Sequence, residues 1–210
     1  MAKLDSNLLT SQSEPAGTAP PPVWRRLFHL SFGSSIPIAG IFTPEYGMVA
    51  AMAVVSAGGL GLDLLRFRIS WLNRQFVRWL APLLKREESR RITGATYMVI
   101  AALFTFLLFG SSVAVPALLF LSLGDPAAAM VGRRAPGPRI RNKSPWGTAA
   151  FIAVAFVVVA VLAGTGAVDY HWGLLVGAIV AGLAELASVP PDDNLAVPLA
   201  AGAVMYFLGV

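Results

Sequence analysis

Residues 113–131 read VAVPALLFLSLGDPAAAMV, a run whose one charged side chain is Asp125. A helix crossing the hydrocarbon layer needs roughly 20 mostly apolar residues, and this stretch has that length and composition. A carboxylate inside such a segment costs roughly 2.5–3.5 kcal/mol on insertion scales. Gly124-Asp125-Pro126 also predicts a break in the helix, and broken helices persist at membrane depth where they line an enclosed or watery cavity. The small residues Ala128, Ala129 and Gly132 would admit a second backbone or a ligand. Asp125 therefore either serves a site or is neutralised by a neighbouring arginine in a structural pair.

Working outward, the rest of the chain has the same character. Of 210 residues, 56% are hydrophobic and only 13% charged, with a mean hydropathy of +0.69. A soluble domain of this size needs more polar surface. Six further candidate spans flank the first: Trp24 to Phe42, Gly47 to Leu65, Thr93 to Phe109, Trp146 to Ala163, Trp172 to Val189, and Asn194 to the C-terminus. The expected fold is all-α, a polytopic membrane bundle of about seven transmembrane helices over residues 23–210. Residues 1–22 are rich in Ser, Pro, Ala and Thr and read as a disordered tail; no apolar core marks a signal peptide. The absence of cysteine excludes disulfides, thiolate metal sites and cysteine nucleophiles. A net charge of +5 would suggest nucleic acid in a soluble protein. Here no basic, aromatic-bearing soluble domain exists to carry it, so no nucleic-acid partner is expected.

The positive charges are segregated. Residues 66–92 hold Arg66, Arg68, Arg74, Arg78, Lys85, Arg86, Arg90 and Arg91. Trp71, Leu72, Phe76, Trp79, Leu80, Leu83 and Leu84 recur among them at helical spacing. That pattern predicts a basic amphipathic helix lying in the membrane interface. Arg133 to Lys143, with Gly and Pro between the cations, reads as an irregular loop. Adding Lys3, Arg25 and Arg26 accounts for all 16 Lys and Arg of the chain. Cytoplasmic loops carry excess Lys and Arg. With seven spans, parity puts the N-terminus and both basic loops on the cytoplasmic side and the C-terminus opposite. The basic loops would then meet anionic lipid headgroups.

Several polar residues fall at that expected cytoplasmic face. Lys143-Ser144 precedes Pro145-Trp146-Gly147-Thr148, where a span begins. A cation, a hydroxyl and free N–H groups at a helix N-terminus suit phosphate; the alternative is a headgroup-facing loop end. Glu185 sits near the end of its span, as a site carboxylate or a locally paired one. Asp192-Asp193-Asn194 opens the last span, where simple capping is the competing role. Asp63 reads as an ordinary polar helix end, and His29 more readily as a structural hydrogen-bond partner than as a catalyst. Asp125, Lys143, Glu185, Asp192 and Asp193 together suit a metal–nucleotide site, because Mg²⁺ favours one or two carboxylates plus substrate phosphates. No Walker A or kinase-type Gly-rich pattern is present.

At these residues the chain resembles the CTP-dependent polyprenol kinases: dolichol kinase, phytol kinase and CTP-dependent diacylglycerol kinase, relatives of CDP-diacylglycerol synthase. The resemblance lies in Gly124-Asp125-Pro126 through Gly132-Arg133, in Asn142-Lys143-Ser144 with Gly147-Thr148, and in Glu185 with Asp192-Asp193-Asn194-Leu195 and Val197-Pro198. Arg26 with His29 resembles an Arg–His pair in the family's first helix. Together these span most of residues 24–204. Many dolichol kinase-like members have Glu between Ser and Gly of the second motif; Pro145 and Trp146 stand there here, which leans toward a shorter prenyl alcohol. The resemblance implies that residues 23–210 are a transmembrane lipid-kinase domain taking CTP and a lipid alcohol to CDP and a lipid monophosphate, with Mg²⁺. Asp125, Lys143 and Asp193 would be catalytic. Gly132, Arg133, Arg139, Lys143, Ser144 and Asn194 would bind nucleotide. Asp125, Glu185, Asp192 and Asp193 would hold the metal, with Arg26 and His29 in support. The lipid would enter sideways from the bilayer, and no oligomeric state is assigned. Two rival readings are a cytidylyltransferase and a small membrane transporter. Ser144 stands where synthases carry a second acidic residue, and the opposite side is nearly free of ionisable groups; these features argue against each in turn.

Overall fold

A computed structural model describes residues 23–84 and 86–210; the expected tail over residues 1–22 and Lys85 lie outside the described residues. Among those described there are eight α-helices and no strand, so the fold is all-α. The helices are α1 (Val23–Phe42), α2 (Glu45–Arg68), α3 (Ser70–Leu80), α4 (Gly94–Phe109), α5 (Ser111–Arg134), α6 (Pro145–Gly164), α7 (Trp172–Ala187) and α8 (Asp193–Phe207), with a 3-10 turn over Arg86–Ser89 before α4. Helix α5 is the axis of the bundle. It packs on α1, α4, α6, α7 and α8, and 67% of its most apolar window is buried, against 22% for α2 at the periphery.

The expected seven spans are not there. Among the described residues three helices are long and apolar enough to cross a membrane: Glu45–Arg68, Ser111–Arg134 and Pro145–Gly164. Helices α4 and α7 are apolar but have 16 residues each, and α8 has 15. At about 1.5 Å per residue they reach some 24 Å, short of a hydrocarbon core of about 30 Å. An apolar run in sequence includes the turn residues at its ends, which add no helical rise. Helix α1 has the length but starts with Arg25 and Arg26 and carries a polar middle, Ser31 to Ser35. The parity argument for the orientation falls with the seven-span count. Three helices of spanning length still mark a membrane-associated protein.

A second correction concerns Gly124-Asp125-Pro126, which does not interrupt α5. Proline withholds one backbone hydrogen bond, and its fixed φ is compatible with the helix. Gly124 serves packing instead: a Cβ there would fall 2.7 Å from the Phe151 ring of α6. Near the end of α5 the contact is between the backbones themselves. A Cβ on Gly147 would lie 2.7 Å from the carbonyl of Ala128 and 3.3 Å from Gly132 Cα. Gly132 and Gly147 thus let α5 and α6 touch backbone to backbone.

Helix α1 runs antiparallel to α5. Ser34 Oγ lies 3.0 Å from Ser122 Oγ, whereas a side chain at Gly40 would meet Phe106 and Val115. At one end of the bundle Glu45 accepts a 3.3 Å hydrogen bond from Ser111 N, tying the α1–α2 and α4–α5 turns together. The other end holds the start of α1 and the α2–α4, α5–α6 and α7–α8 connections. Every described Lys and Arg belongs to that second end.

An extended residue, Ile69, separates α2 from the amphipathic α3. Leu72, Phe76 and Leu80 are half-buried on its inner side, while Trp71, Arg74, Arg78 and Trp79 are exposed. The Trp71 and Trp79 expected in the apolar stripe therefore face outward. What holds α3 in place is Arg66, which is wholly buried. Its Nε donates to Asp63 Oδ1 (2.6 Å), Nη1 to Asn73 Oδ1 (2.9 Å), and Nη2 to the carbonyls of Glu88 (2.8 Å) and Arg91 (2.6 Å). The guanidinium also stacks on the rings of Phe67 and Phe76. Asp63 Oδ2 accepts from Thr93 N and Thr96 Oγ1 at the start of α4. Asp63 is thus a buried junction rather than a polar helix end, and Arg66 is unavailable to headgroups.

Candidate functional site

The close contact of α5 with α6 delivers the 135–144 loop to the end of α5. Ile140 and Lys143 exchange two backbone hydrogen bonds of 2.8 Å, with Arg141 and Asn142 between them at φ 48° and 69°. Two consecutive left-handed residues define a tight hairpin turn; the expected irregular loop closes on this one ordered feature. The turn aims two cations at the C-terminus of α7, where the last carbonyls lack intrahelical partners. Arg141 Nη1 donates to the Ala187 carbonyl (2.6 Å) and Lys143 Nζ to the Glu185 carbonyl (2.6 Å).

Lys143 does more than cap. Its Nζ lies 2.9 Å from Glu185 Oε1 and 2.7 Å from Asp193 Oδ2, so it joins the end of α7 to the start of α8. Burial pulls the Lys143 ammonium down, and the hydrogen bonds it donates to Asp193 and Glu185 more than offset that, so its pKa is raised from the ordinary 10.5. Burial raises the Asp193 carboxyl above its ordinary 3.8, partly countered by Lys143, with the Asp125 charge adding to the rise.

Beside this knot is a cavity of about 210 Å³. Asp125, Gly132 and Arg133 line it from α5, Arg139, Lys143 and Ser144 from the hairpin loop, Gly147 from α6 and Glu185 from α7. Pro145 at the first position of α6 has no N–H, which leaves those of Trp146 and Gly147 without intrahelical acceptors. One end of the cavity thus offers cations, a buried hydroxyl and helix N–H donors, and carboxylates stand around it. That composition suits a metal-complexed polyphosphate.

Four of the expected site residues lie elsewhere. Asp192 caps α8, its Oδ1 accepting from Asn194 N (3.0 Å), and lines a different cavity with Phe67, Arg91 and Tyr97. Asn194 is buried and donates to the Gly94 carbonyl of α4 (3.3 Å). His29 and Asn194 both line a third, largely apolar cavity. Arg26 is half-buried, with Nε and Nη2 shielded and making no hydrogen bond. Among the described residues no three His, Cys, Asp or Glu side chains converge as a metal cage, so the expected four-carboxylate shell is not assembled. Asp125 and Glu185 on one cavity still fit an ion completed by substrate oxygens. Sequence reasoning missed the Asp63–Arg66 junction and the capping role of Arg141. The three-residue spacing of Asp63 and Arg66 at a helix end was the signal for the first.

Fold and cavity together define a helical, membrane-associated protein with a cation–carboxylate site at one end. Comparison with known proteins narrows this. The chain is 27% identical over 161 residues to CTP-dependent diacylglycerol kinase 1 of Schizosaccharomyces pombe, covering 70% of this chain and 74% of that protein. It is 26% identical over 162 residues to the protein of that name from Saccharomyces cerevisiae (66% of this chain, 56% of that one). It is 30% identical over 144 residues to its counterpart in Eremothecium gossypii (67% and 45%). The chain thus spans about half the length of the latter two. No family model and no solved structure matches. The homology is weak in each pair and consistent across them, and it supports placing the chain with the CTP-dependent diacylglycerol kinases.

Proposed function

We propose that this chain is a CTP-dependent lipid kinase that transfers the γ-phosphate of CTP to the hydroxyl of a membrane lipid alcohol. The observation that carries the reading is the Lys143 knot: one ammonium held by Glu185 and Asp193 at the rim of a cavity that also presents Asp125, Arg133 and Arg139. Phosphoryl transfer asks a protein chiefly for positioning and for neutralisation of phosphate charge. Arg133, Arg139, Ser144 and the first N–H groups of α6 bind the phosphates. Asp125, with Glu185 beside it, would hold Mg²⁺, which would supply charge neutralisation for the phosphates. Asp193 keeps Lys143 at the cavity edge and is thereby a positioning residue. The site end, which carries the basic residues, faces the cytoplasm, and the C-terminus lies at the opposite end. Arg68, Arg74, Arg78 and Arg134 are exposed there for anionic headgroups. The relatives' names put diacylglycerol first among acceptors, and Pro145-Trp146 keeps a short prenyl alcohol beside it.

The test is purified protein in detergent with γ-labelled CTP, Mg²⁺ and separate lipid alcohols: diacylglycerol, phytol and a polyprenol. The expected result is labelled lipid with release of CDP, reduced about a hundredfold or more in Asp125→Asn. Release of pyrophosphate, or no label in any lipid, overturns the proposal.

A further inference from the structure

The charged cavity has an apolar neighbour of about 250 Å³ that shares none of its lining residues. Its walls are Phe28 of α1, Leu62 of α2, Phe76 and Leu80 of α3, and Leu83 and Leu84 of the following turn. One end is polar, formed by the first turns of α4 and α8. Most of that polarity is already engaged. The Asp63 oxygens are bonded to Arg66, Thr93 and Thr96, and Glu88 Oε1 accepts from Gly94 N (3.0 Å). The hydrogen bond of Asn194 uses only Nδ2, which leaves an acceptor, Oδ1, on a buried side chain lining the cavity.

Two placements say what belongs there. First, Asn194 directly follows Asp193, whose carboxylate is 2.7 Å from Lys143 in the charged cavity. Asn194 on the apolar cavity and Asp193, bonded to the Lys143 that lines the charged one, are thus consecutive residues of α8. His29, also on the apolar cavity, lies within about one helical turn of the level of Asp125, given the antiparallel Ser34–Ser122 contact of α1 and α5. Second, α3 covers the cavity with its inner face and exposes Trp71 and Trp79 outward. Amphipathic helices with exposed tryptophan lie at the headgroup level, so the cavity sits where a chain can pass from the bilayer without crossing water.

We infer that this cavity under α3 binds the acceptor lipid, its hydroxyl donating to Asn194 Oδ1 at the tip of α8 and its chain running along Leu80, Leu83 and Leu62 toward the bilayer. The inference rests on the kinase reading for the identity of its ligand. In the transfer step, the lipid oxygen forms the new bond to the γ-phosphorus as the bond from that phosphorus to the bridging oxygen of CTP breaks. CDP leaves with the electron pair, and the hydroxyl proton is lost to solvent or a phosphate oxygen. Asn194 orients the hydroxyl and takes no proton.

Two measurements test this. Wild-type protein in detergent is irradiated with a diacylglycerol, and separately with a prenyl alcohol, each carrying a diazirine in its chain. Crosslinks are expected in the peptides around residues 28, 59–63, 76–84 or 93–98, competed by the unmodified lipid; crosslinks confined to other segments overturn the site. In Leu80→Trp, which fills the cavity, the lipid KM is expected to rise about tenfold or more with the KM for CTP unchanged. An unchanged lipid KM in a folded variant overturns it as well. Failure of the kinase reading is a separate result: wild type then labels no lipid at all, while the crosslinking map still reports whether a lipid occupies the cavity.

Discussion

Replacing Arg66 with Met tests whether the α2–α3–α4 junction has the weight that its geometry implies. The guanidinium is wholly buried and makes four hydrogen bonds of 2.6–2.9 Å, two of them to backbone carbonyls. Methionine fills most of the volume and keeps contact with Phe67 and Phe76, so packing changes little. What remains is the Asp63 carboxylate, 2% exposed, with only Thr93 N and Thr96 Oγ1 to satisfy it. Breaking a buried pair in this way costs about 3–5 kcal/mol. The freed carbonyls of Glu88 and Arg91 sit in a connecting segment that can turn toward water, so their losses do not simply add. On the scale of domains of 150–250 residues, the drop in Tm is about 6–20 °C. The assay is thermal unfolding in one detergent, for wild type, Arg66→Met, Asp63→Asn and the double variant. The double variant should recover part of the loss, since removing both charges leaves no uncompensated ion. Arg66→Lys should not rescue, because one ammonium cannot reach acceptors spread over three segments. A Tm for Arg66→Met within about 2 °C of wild type would show that the buried pair does not hold the junction together.

Lys143→Met removes the cation that joins α7 to α8 and faces the cavity. Lipid phosphorylation should fall about a hundredfold to a thousandfold, measured with γ-labelled CTP, while Tm falls less than in Arg66→Met, because Lys143 and Asp193 are partly exposed. The pH dependence follows from the raised pKa of Lys143. Its contribution to stability is full below 10.5 and is lost as pH rises through the higher folded-state value. The Tm difference between wild type and Lys143→Met should therefore be flat at neutral pH and shrink only above 10.5. Gly147→Ala puts a methyl 2.7 Å from the Ala128 carbonyl and should cost about 1–3 kcal/mol through forced separation of α5 and α6. Its phosphorylation rate, compared with that of an equally destabilised variant remote from the site, should be lower still, since Ser144 and Lys143 move with α6.

The legible part of this fold is the part that composition dictates. The residue pattern of 113–131 makes a long apolar helix, and the glycines and alanines after Asp125 mark where another helix comes close. Lys143 and Glu185, which line one cavity with Asp125, stand out in the sequence because each sits at a helix end near the basic residues. The span count was not legible, because hydropathy reports the apolar run and only the backbone hydrogen-bond ladder reports how much of it is helix. The same distinction explains α5: a Gly-Asp-Pro sequence lowers helix propensity, yet packing on five neighbouring helices holds the helix through it. Arg66 was hidden for the opposite reason. In sequence it is one of several loop cations, and only the convergence of Asn73, Glu88 and Arg91 on its guanidinium makes it internal.

The acidic cluster at 192–194 shows most directly why adjacency in sequence misleads. Successive helical residues point about 100° apart, so three neighbours at a helix start cannot all serve one site. Asp192 turns back to cap α8 and faces the cavity of Phe67 and Tyr97. Asp193 reaches Lys143. Asn194 points to α4 and the apolar cavity. The first turn of α8 therefore sends neighbouring side chains toward the charged knot and toward the largely apolar cavity. An enzyme that moves a phosphoryl group from a nucleotide to a lipid alcohol needs such a boundary, because each substrate must stay in its own solvent until the reacting atoms meet. That requirement gives Asp193 and Asn194 separable tasks, so Asp193→Asn should act on CTP handling and Asn194→Ala on the lipid. Steady-state kinetics should show the KM for CTP moving in the first and the KM for lipid in the second. If both substitutions shift both constants equally, the partition is wrong and the two cavities are one site.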